Sequence, residues 1–212
     1  MLFGSISYLN LLPFHVFMKR AIPHNGAKMA FRYKRDVPSS INDALHRRRI
    51  NAAFISTAAS RRFMCTDVGI VARGRVYSVL LLPGHNESDP ASASSNALAK
   101  MLGLKGKVLI GDAALRYYLS GGEGIDLAEA WYRETGLPFV FARLCCNRHP
   151  RQVRRFARRF AHRRIRIPRY ILNKEAAKRQ LRPGDVLWYL DHIHYTIDHA
   201  AKRSIKRFMK SM

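Results

Sequence analysis

Three places in this 212-residue chain set hydroxyl and amide side chains where an apolar run gives way to a turn or a helix start. They are Ser7, Tyr8 and Asn10 in "GSISYLNLLPF", Ser56 and Thr57 in "AAFISTAAS", and Ser92, Ser94, Ser95 and Asn96 in "ASASSNALA". Such groups stay neutral at working pH, so their chemistry is hydrogen bonding to carboxylate, phosphate or hydroxyl oxygens rather than proton abstraction. A helix start adds to this, because its first N–H groups have no partner within the helix and its dipole favours an anion. Taken singly, each site reads as an ordinary serine N-cap. Taken together, they predict one cleft lined with hydroxyls and helix N-termini at the carboxyl ends of strands, where open α/β sheets bind ligands.

The elements that must position these residues alternate. Short apolar runs predict strands near 2–6, 28–33, 52–55, 68–72, 76–82, 107–111 and 138–145. Helical spacing predicts helices near 11–20, 39–48, 57–64, 94–103, 112–120 and 126–135. This is an α/β rhythm. After residue 150 the strand signal fades into three or four helices, one closing at "RPGD", and residues 84–96 form a Ser-, Asn- and Pro-rich loop suited to linking or binding. No internal repeat is present.

Composition narrows the partners. Lys and Arg number 38 against 14 Asp and Glu, a net charge of +24, which points to an anionic partner without choosing among nucleic acid, membrane surface and acidic metabolite. The densest block, "RHPRQVRRFARRFAHRRIRIPRY", places Val153, Phe156, Ala157 and Phe160 at helical spacing with arginines on the other face, an amphipathic helix with a solvated basic side. Aromatic platforms, glycine loops and zinc spacings of nucleic-acid modules are not legible, so no nucleic-acid partner is expected. No apolar run approaches the roughly 18 residues of a membrane span. Lys19 and Arg20 follow the first apolar run rather than precede it, so the expectation is a cytoplasmic protein without a secretory signal. Cys65, Cys145 and Cys146 form no CxxC pair and are read as packing residues. No GxGxxG, P-loop or cysteine cluster calls for a cofactor.

The segments "SISYLNLLPF", "INAAFIST", "GRVYSVLLLP", "SASSNALAKMLGLKG", "VLIGDAALRYYL", "IDLAEAWYRETGLPFVFARL" and "LWYLDHIHYTID" follow one another in an order that resembles the chorismate dehydratases of the futalosine route to menaquinone. The resemblance spans nearly the whole chain. It implies a two-lobed type II periplasmic-binding-protein-like fold, with residues 1–76 and 147–212 in a first lobe carrying a C-terminal helical segment, and 77–146 in a smaller second lobe. It also implies that chorismate, a dianion, loses water to give 3-[(1-carboxyvinyl)oxy]benzoate, without a metal or cofactor. Aromatisation drives that reaction, and the C3 proton is acidified through the conjugated ring, so orientation and desolvation carry much of the catalysis. The matching motifs offer no general-base carboxylate or histidine, and the substrate's own enolpyruvyl carboxylate is a candidate base.

Carried over position by position, the family's active-site asparagine falls on Asn10 and its active-site serine on Ser78. Ser7, Tyr8, Ser56, Thr57, Ser92, Ser94, Ser95 and Asn96 fall on the polar turns that hold the substrate. The pair is expected to face one cavity, Ser78 from a strand crossing between the lobes. Thr57 and Ser94 exchange one hydroxyl residue for the other. Two departures pare down the second lobe: a strand usual before the Ser/Thr-Ser turn is missing, and so are the strand and helix usual before "LIGDAAL", where Leu104 passes almost directly to Val108. "RRRINAAF" stands where the family has acidic residues, a surface change. Asp112 in "GDAAL" reads as a helix N-cap. In "DHIHYTIDH", His192, His194, Asp198 and His199 have a spacing that could bind metal on a helix, but the apolar residues between them favour a surface-polar helix. A solute-binding protein of the same fold and a basic nucleic-acid-binding protein are the alternative functions.

Overall fold

The computed structural model describes residues 1–21 and 32–212. A six-stranded sheet has the order β2-β1-β3-β8-β4-β9, with β1 at Leu2–Ile6, β2 at Arg32–Asp36, β3 at Ala52–Ser56, β4 at Met64–Ala72, β8 at Phe139–Cys146 and β9 at His194–Thr196. β1 runs parallel to β2 and β3, while β8 is antiparallel to both β3 and β4. β3 is buried at all five positions, as a strand covered on both faces must be, and its sequence is apolar up to the final serine.

A three-stranded antiparallel sheet of order β6-β5-β7 forms the second lobe. Its strands are β5 at Val79–Leu82, β6 at Lys107–Ile110 and β7 at Ile125–Asp126. Helices α3 (Ala93–Met101), α4 (Gly111–Leu119) and α5 (Leu127–Thr135) complete it. The first lobe carries α1 (Leu12–Ala21) and α2 (Pro38–His46). Past β8 come α6 (Pro150–Ala161), α7 (Arg169–Ala177), α8 (Pro183–Asp191) and α9 (His199–Lys210).

The main core gathers around Phe14, whose ring meets Phe54 edge-on at 4.9 Å and Phe160 at 5.1 Å. Phe160 comes from the arginine-rich helix α6, whose Val153, Ala157 and Phe160 are buried while its arginines face solvent. Truncating a buried phenylalanine of this kind costs about 3–5 kcal/mol. No helix among the described residues is long and apolar enough to cross a membrane.

Several sequence expectations shift. The strand expected near 28–33 falls mostly outside the described residues. Residues 57–62 form a 3-10 helix instead of an α-helix, and β4 begins at Met64. β8 pairs within the large sheet, so the second lobe as defined by its sheet ends before Phe139 rather than at 146. The segment expected as a surface-polar helix at 191–199 contains β9, so the helical metal spacing does not exist; Asp198 instead caps α9 by accepting from Ala201 N at 2.9 Å. Cys65 and Cys145 are joined as a disulfide, not simply packed, because the antiparallel register of β4 and β8 sets them directly opposite. Cys146 is free and buried.

Candidate functional site

The chain after β1 leaves the sheet at once. Tyr8 follows in extended backbone as the N-cap of a 3-10 turn, Leu9–Leu11, which holds Asn10 and leads into α1. Their cavity lies between the lobes. Ile6, Tyr8, Asn10, Phe54, Ser56 and Phe141 line it from the first lobe. Ser78, Val79, Ser92, Ser95, Ile110 and Gly111 close it from the second. Asn10 and Ser78 thus share one space. Among the described residues, none in its wall is a Lys, Arg, His, Asp or Glu.

Ser78 lies just before β5 and not within a strand. It is buried, and its segment is held by Asp126, whose carboxylate accepts from Val76 N at 2.9 Å and Tyr77 N at 2.7 Å and also caps α5 through Ala128 N and Glu129 N. Burial raises the Asp126 carboxyl above the usual range despite these four donors. Tyr77 takes a left-handed backbone, φ 61°, which turns its ring out against Trp188 and His192 and lets Ser78 point inward. The Ser78 carbonyl accepts from Gly111 N at 2.7 Å. Gly111 must be glycine: its φ is +66°, and a Cβ there would lie 2.8 Å from the Tyr8 ring.

Behind Ser78 stands Tyr189 of α8, fully buried, with its hydroxyl 2.9 Å from Ser78 Oγ. Burial raises its phenol well above the ordinary value, while its bonds to the Ser78 and Asn10 side chains pull the other way. The Tyr195 hydroxyl, also buried although the residue as a whole is half-buried, donates to the Asn10 carbonyl at 2.6 Å. The Tyr8 phenol is pushed up to about 12 by burial and by the charges of Asp89 and Asp112. All three phenols therefore remain protonated donors at neutral pH. The sequence reading missed Tyr189 and Tyr195, because "LWYL" looks like a core helix stripe and a tyrosine in β9 carries no motif.

The remaining serines mostly satisfy each other. Ser92 caps α3 by accepting from Ser95 N at 3.2 Å, and it also donates to Ser95 Oγ at 2.8 Å. Ser56 Oγ and Ser94 Oγ lie 2.7 Å apart, and Ser94 N donates to Ser56 Oγ at 3.0 Å, a buried bridge from β3 to the second lobe. Ser94 is thus behind the wall rather than in it. Asn96 ties down the preceding loop through the backbone of Asp89 and does not line the cavity. Thr57 is buried with its hydroxyl unpartnered among the described residues, and it too is absent from the wall.

Ser7 faces the other way, into a second cavity with Ser5, His15, Lys19, Glu175, Lys178 and Arg179. Tyr8 lines both cavities. Asp112 is not the N-cap of α4, a place held by Ile110. Its Oδ1 accepts from Leu9 N at 2.9 Å and its Oδ2 from Arg179 Nε at 2.6 Å. The described residues include no cluster of three His, Cys, Asp or Glu that could hold a metal ion.

Two sheets, crossover strands and a cleft between lobes define a periplasmic-binding-protein-like α/β protein. A protein from Archaeoglobus fulgidus superposes with a TM-score of 0.69 at 10% identity, covering 99% of this chain and 95% of its own. The periplasmic aliphatic sulphonate binding protein of Escherichia coli gives 0.58 at 14%, covering 99% and 86%. Within that fold, the menaquinone biosynthesis family model matches residues 1–106 and 85–212, and the chain belongs to this family. A chorismate dehydratase of Campylobacter jejuni is 44% identical over 216 residues, covering 100% of this chain and 97% of its own. A chorismate dehydratase of Thermus thermophilus is 25% identical over 267 residues, covering 99% and 94%. The second alignment is longer than this chain, so parts of that relative have no counterpart here, whereas the first is almost equal to it in length.

Proposed function

We propose that this chain is a chorismate dehydratase, a hydro-lyase that converts chorismate to 3-[(1-carboxyvinyl)oxy]benzoate and water in the cytoplasm. The observation that carries this reading is the 44% identity to a chorismate dehydratase along the full chain. The cavity supports it, because Asn10 and Ser78 face the same space from opposite lobes.

In this reading the substrate lies between Asn10 and Ser78. Tyr189 donates to Ser78 Oγ, which leaves the serine proton to be offered to the departing C4 oxygen. The Asn10 amide orients the ring beside it. The C3 proton passes to the substrate's enolpyruvyl carboxylate, the C3 electron pair forms the C3–C4 double bond that completes the aromatic ring, and the C4–O bond breaks as that proton is handed on to the departing hydroxyl, which leaves as water. An uncharged wall desolvates the dianion and strengthens every hydrogen bond to it. Ser92 and Ser95, at the start of α3, with Ser56 and Tyr8, meet its carboxylates, and the net charge of +24 assists encounter.

Purified protein incubated with chorismate, without added metal, is expected to form the aromatic product, followed by its ultraviolet absorbance and mass. The fold also suits a solute-binding protein, as the sulphonate-binding relative illustrates. Saturable binding of chorismate with no product would favour that second reading and overturn the first.

A further inference from the structure

Arg179 lies between α7 and α8 and is 6% exposed. Its guanidinium meets groups from three parts of the chain. Nε donates to Asp112 of the second lobe at 2.6 Å, one terminal nitrogen donates to the Glu175 carboxylate and carbonyl, and the other to the Ser7 carbonyl. Asp112 in turn accepts from Leu9 N. The two contacts to the "SYLN" loop are thus both to its backbone, at residues 7 and 9, on either side of Tyr8 and just before Asn10. Neither Arg179 nor Asp112 lines the cavity that holds Asn10 and Ser78.

We infer that Arg179, through Asp112, is a positioning residue that fixes the backbone of residues 7–9 and so sets where Asn10 points, an inference that rests on the dehydratase reading for its catalytic consequence. A plain packing role would be served by any pair that fills the volume. The fork geometry is more specific: a planar guanidinium holds an aspartate, a glutamate and a carbonyl at fixed angles, which an ammonium on a flexible stem cannot reproduce. The same aspartate spans lobes, since it starts α4 of the second lobe and grips the first-lobe loop. Misplacing a reacting group by even about 1 Å costs on the order of a hundredfold in rate, so a pin outside the cavity can govern turnover inside it.

The test uses full-length protein carrying Arg179→Met, Arg179→Lys or Asp112→Asn, each also combined with Asn10→Ala. Steady-state dehydration of chorismate is expected to show kcat lowered about a hundredfold by Arg179→Met, with KM changed less, and only partly restored by Arg179→Lys. In the Asn10→Ala background the same changes are expected to add less than about threefold, because the residue they position is already gone. Hydrogen exchange of the peptide spanning residues 5–12 is expected to accelerate in Arg179→Lys and Asp112→Asn, which keep the volume of the pair, while β3 exchanges as before. Full additivity with Asn10→Ala, or unchanged exchange in residues 5–12, would overturn the inference. If the unaltered protein does not dehydrate chorismate but loop exchange still responds, the pin stands and the functional reading fails instead.

Discussion

The two cavities that flank the "SYLN" loop share Tyr8 and little else. The one between the lobes has hydroxyls, an amide and apolar side chains in its wall and, among the described residues, no group charged at neutral pH. The one behind the loop has His15, Lys19, Glu175, Lys178 and Arg179. Buried charge is used here to hold backbone, and neutral dipoles face the cavity between the lobes. This division follows from electrostatics: a fixed cation in the cleft would bind substrate and aromatic product, both dianions, alike, whereas hydroxyls oriented toward a leaving oxygen act only as charge develops there.

The largest expected effect tests the neutral cavity itself. Asn10→Ala and Ser78→Ala should each lower kcat on the order of a hundredfold, the size seen when one oriented donor is removed from an active site, with the circular dichroism spectrum unchanged. Near-normal turnover in either would remove that residue from the chemistry. A smaller loss is expected one step back: Tyr189→Phe keeps the buried ring but deletes the hydroxyl beside Ser78, and should lower kcat about tenfold, equivalent to about 1.4 kcal/mol.

Alkali probes the phenols around the neutral cavity. Tyr8, Tyr189 and Tyr195 all have raised folded-state values, so each folded phenol holds its proton more tightly than the ordinary 10.0. Their contribution to stability is full below pH 10.0 and declines as pH rises through the folded values, about 12 for Tyr8. Titration at 295 nm should therefore show these tyrosines ionising late, and together with unfolding. The smallest effect sharpens the contrast from the charged side: Lys19→Met and Lys178→Met, which line only the rear cavity, should leave kcat and KM for chorismate within about twofold, in keeping with surface changes away from buried networks.

Much of the front cavity was legible in the sequence because strand-end hydroxyls and helix caps are local signals, whereas Ser78 came only from the family resemblance. Tyr8, Asn10, Ser56, Ser78, Ser92 and Ser95 come together in its wall. Ser7, Thr57, Ser94 and Asn96 do not line it, and Ser7 shows why: in a strand-like extension alternate residues point to opposite sides, so a one-residue step sends Ser7 to the rear cavity and Tyr8 to both. The supports were not legible, since they depend on distant pairing. Asp112 reaches Leu9 across 103 residues, and Tyr189 reaches Ser78 across 111. β9 was missed because three residues are too few for alternation to register, and Ile193 and Ile197, four apart, mimic a helix. The Cys65–Cys145 pairing required knowing that β4 and β8 are neighbours, 80 residues apart.

That neighbourhood reaches beyond the cysteines. The second lobe leaves the large sheet at the end of β4 and re-enters it at the start of β8, and Ala72 and Phe139 are register partners. Its entry and exit therefore sit side by side, about 5 Å apart, like the ends of a hairpin loop enlarged into a lobe. An insertion whose two ends meet can lengthen or shorten without shifting the frame that receives it. Relatives can therefore differ in length while the large sheet, the start of the "SYLN" loop and its rear charges keep their places, and circularly permuted or lobe-exchanged versions of this chain have a natural seam at residues 72 and 139.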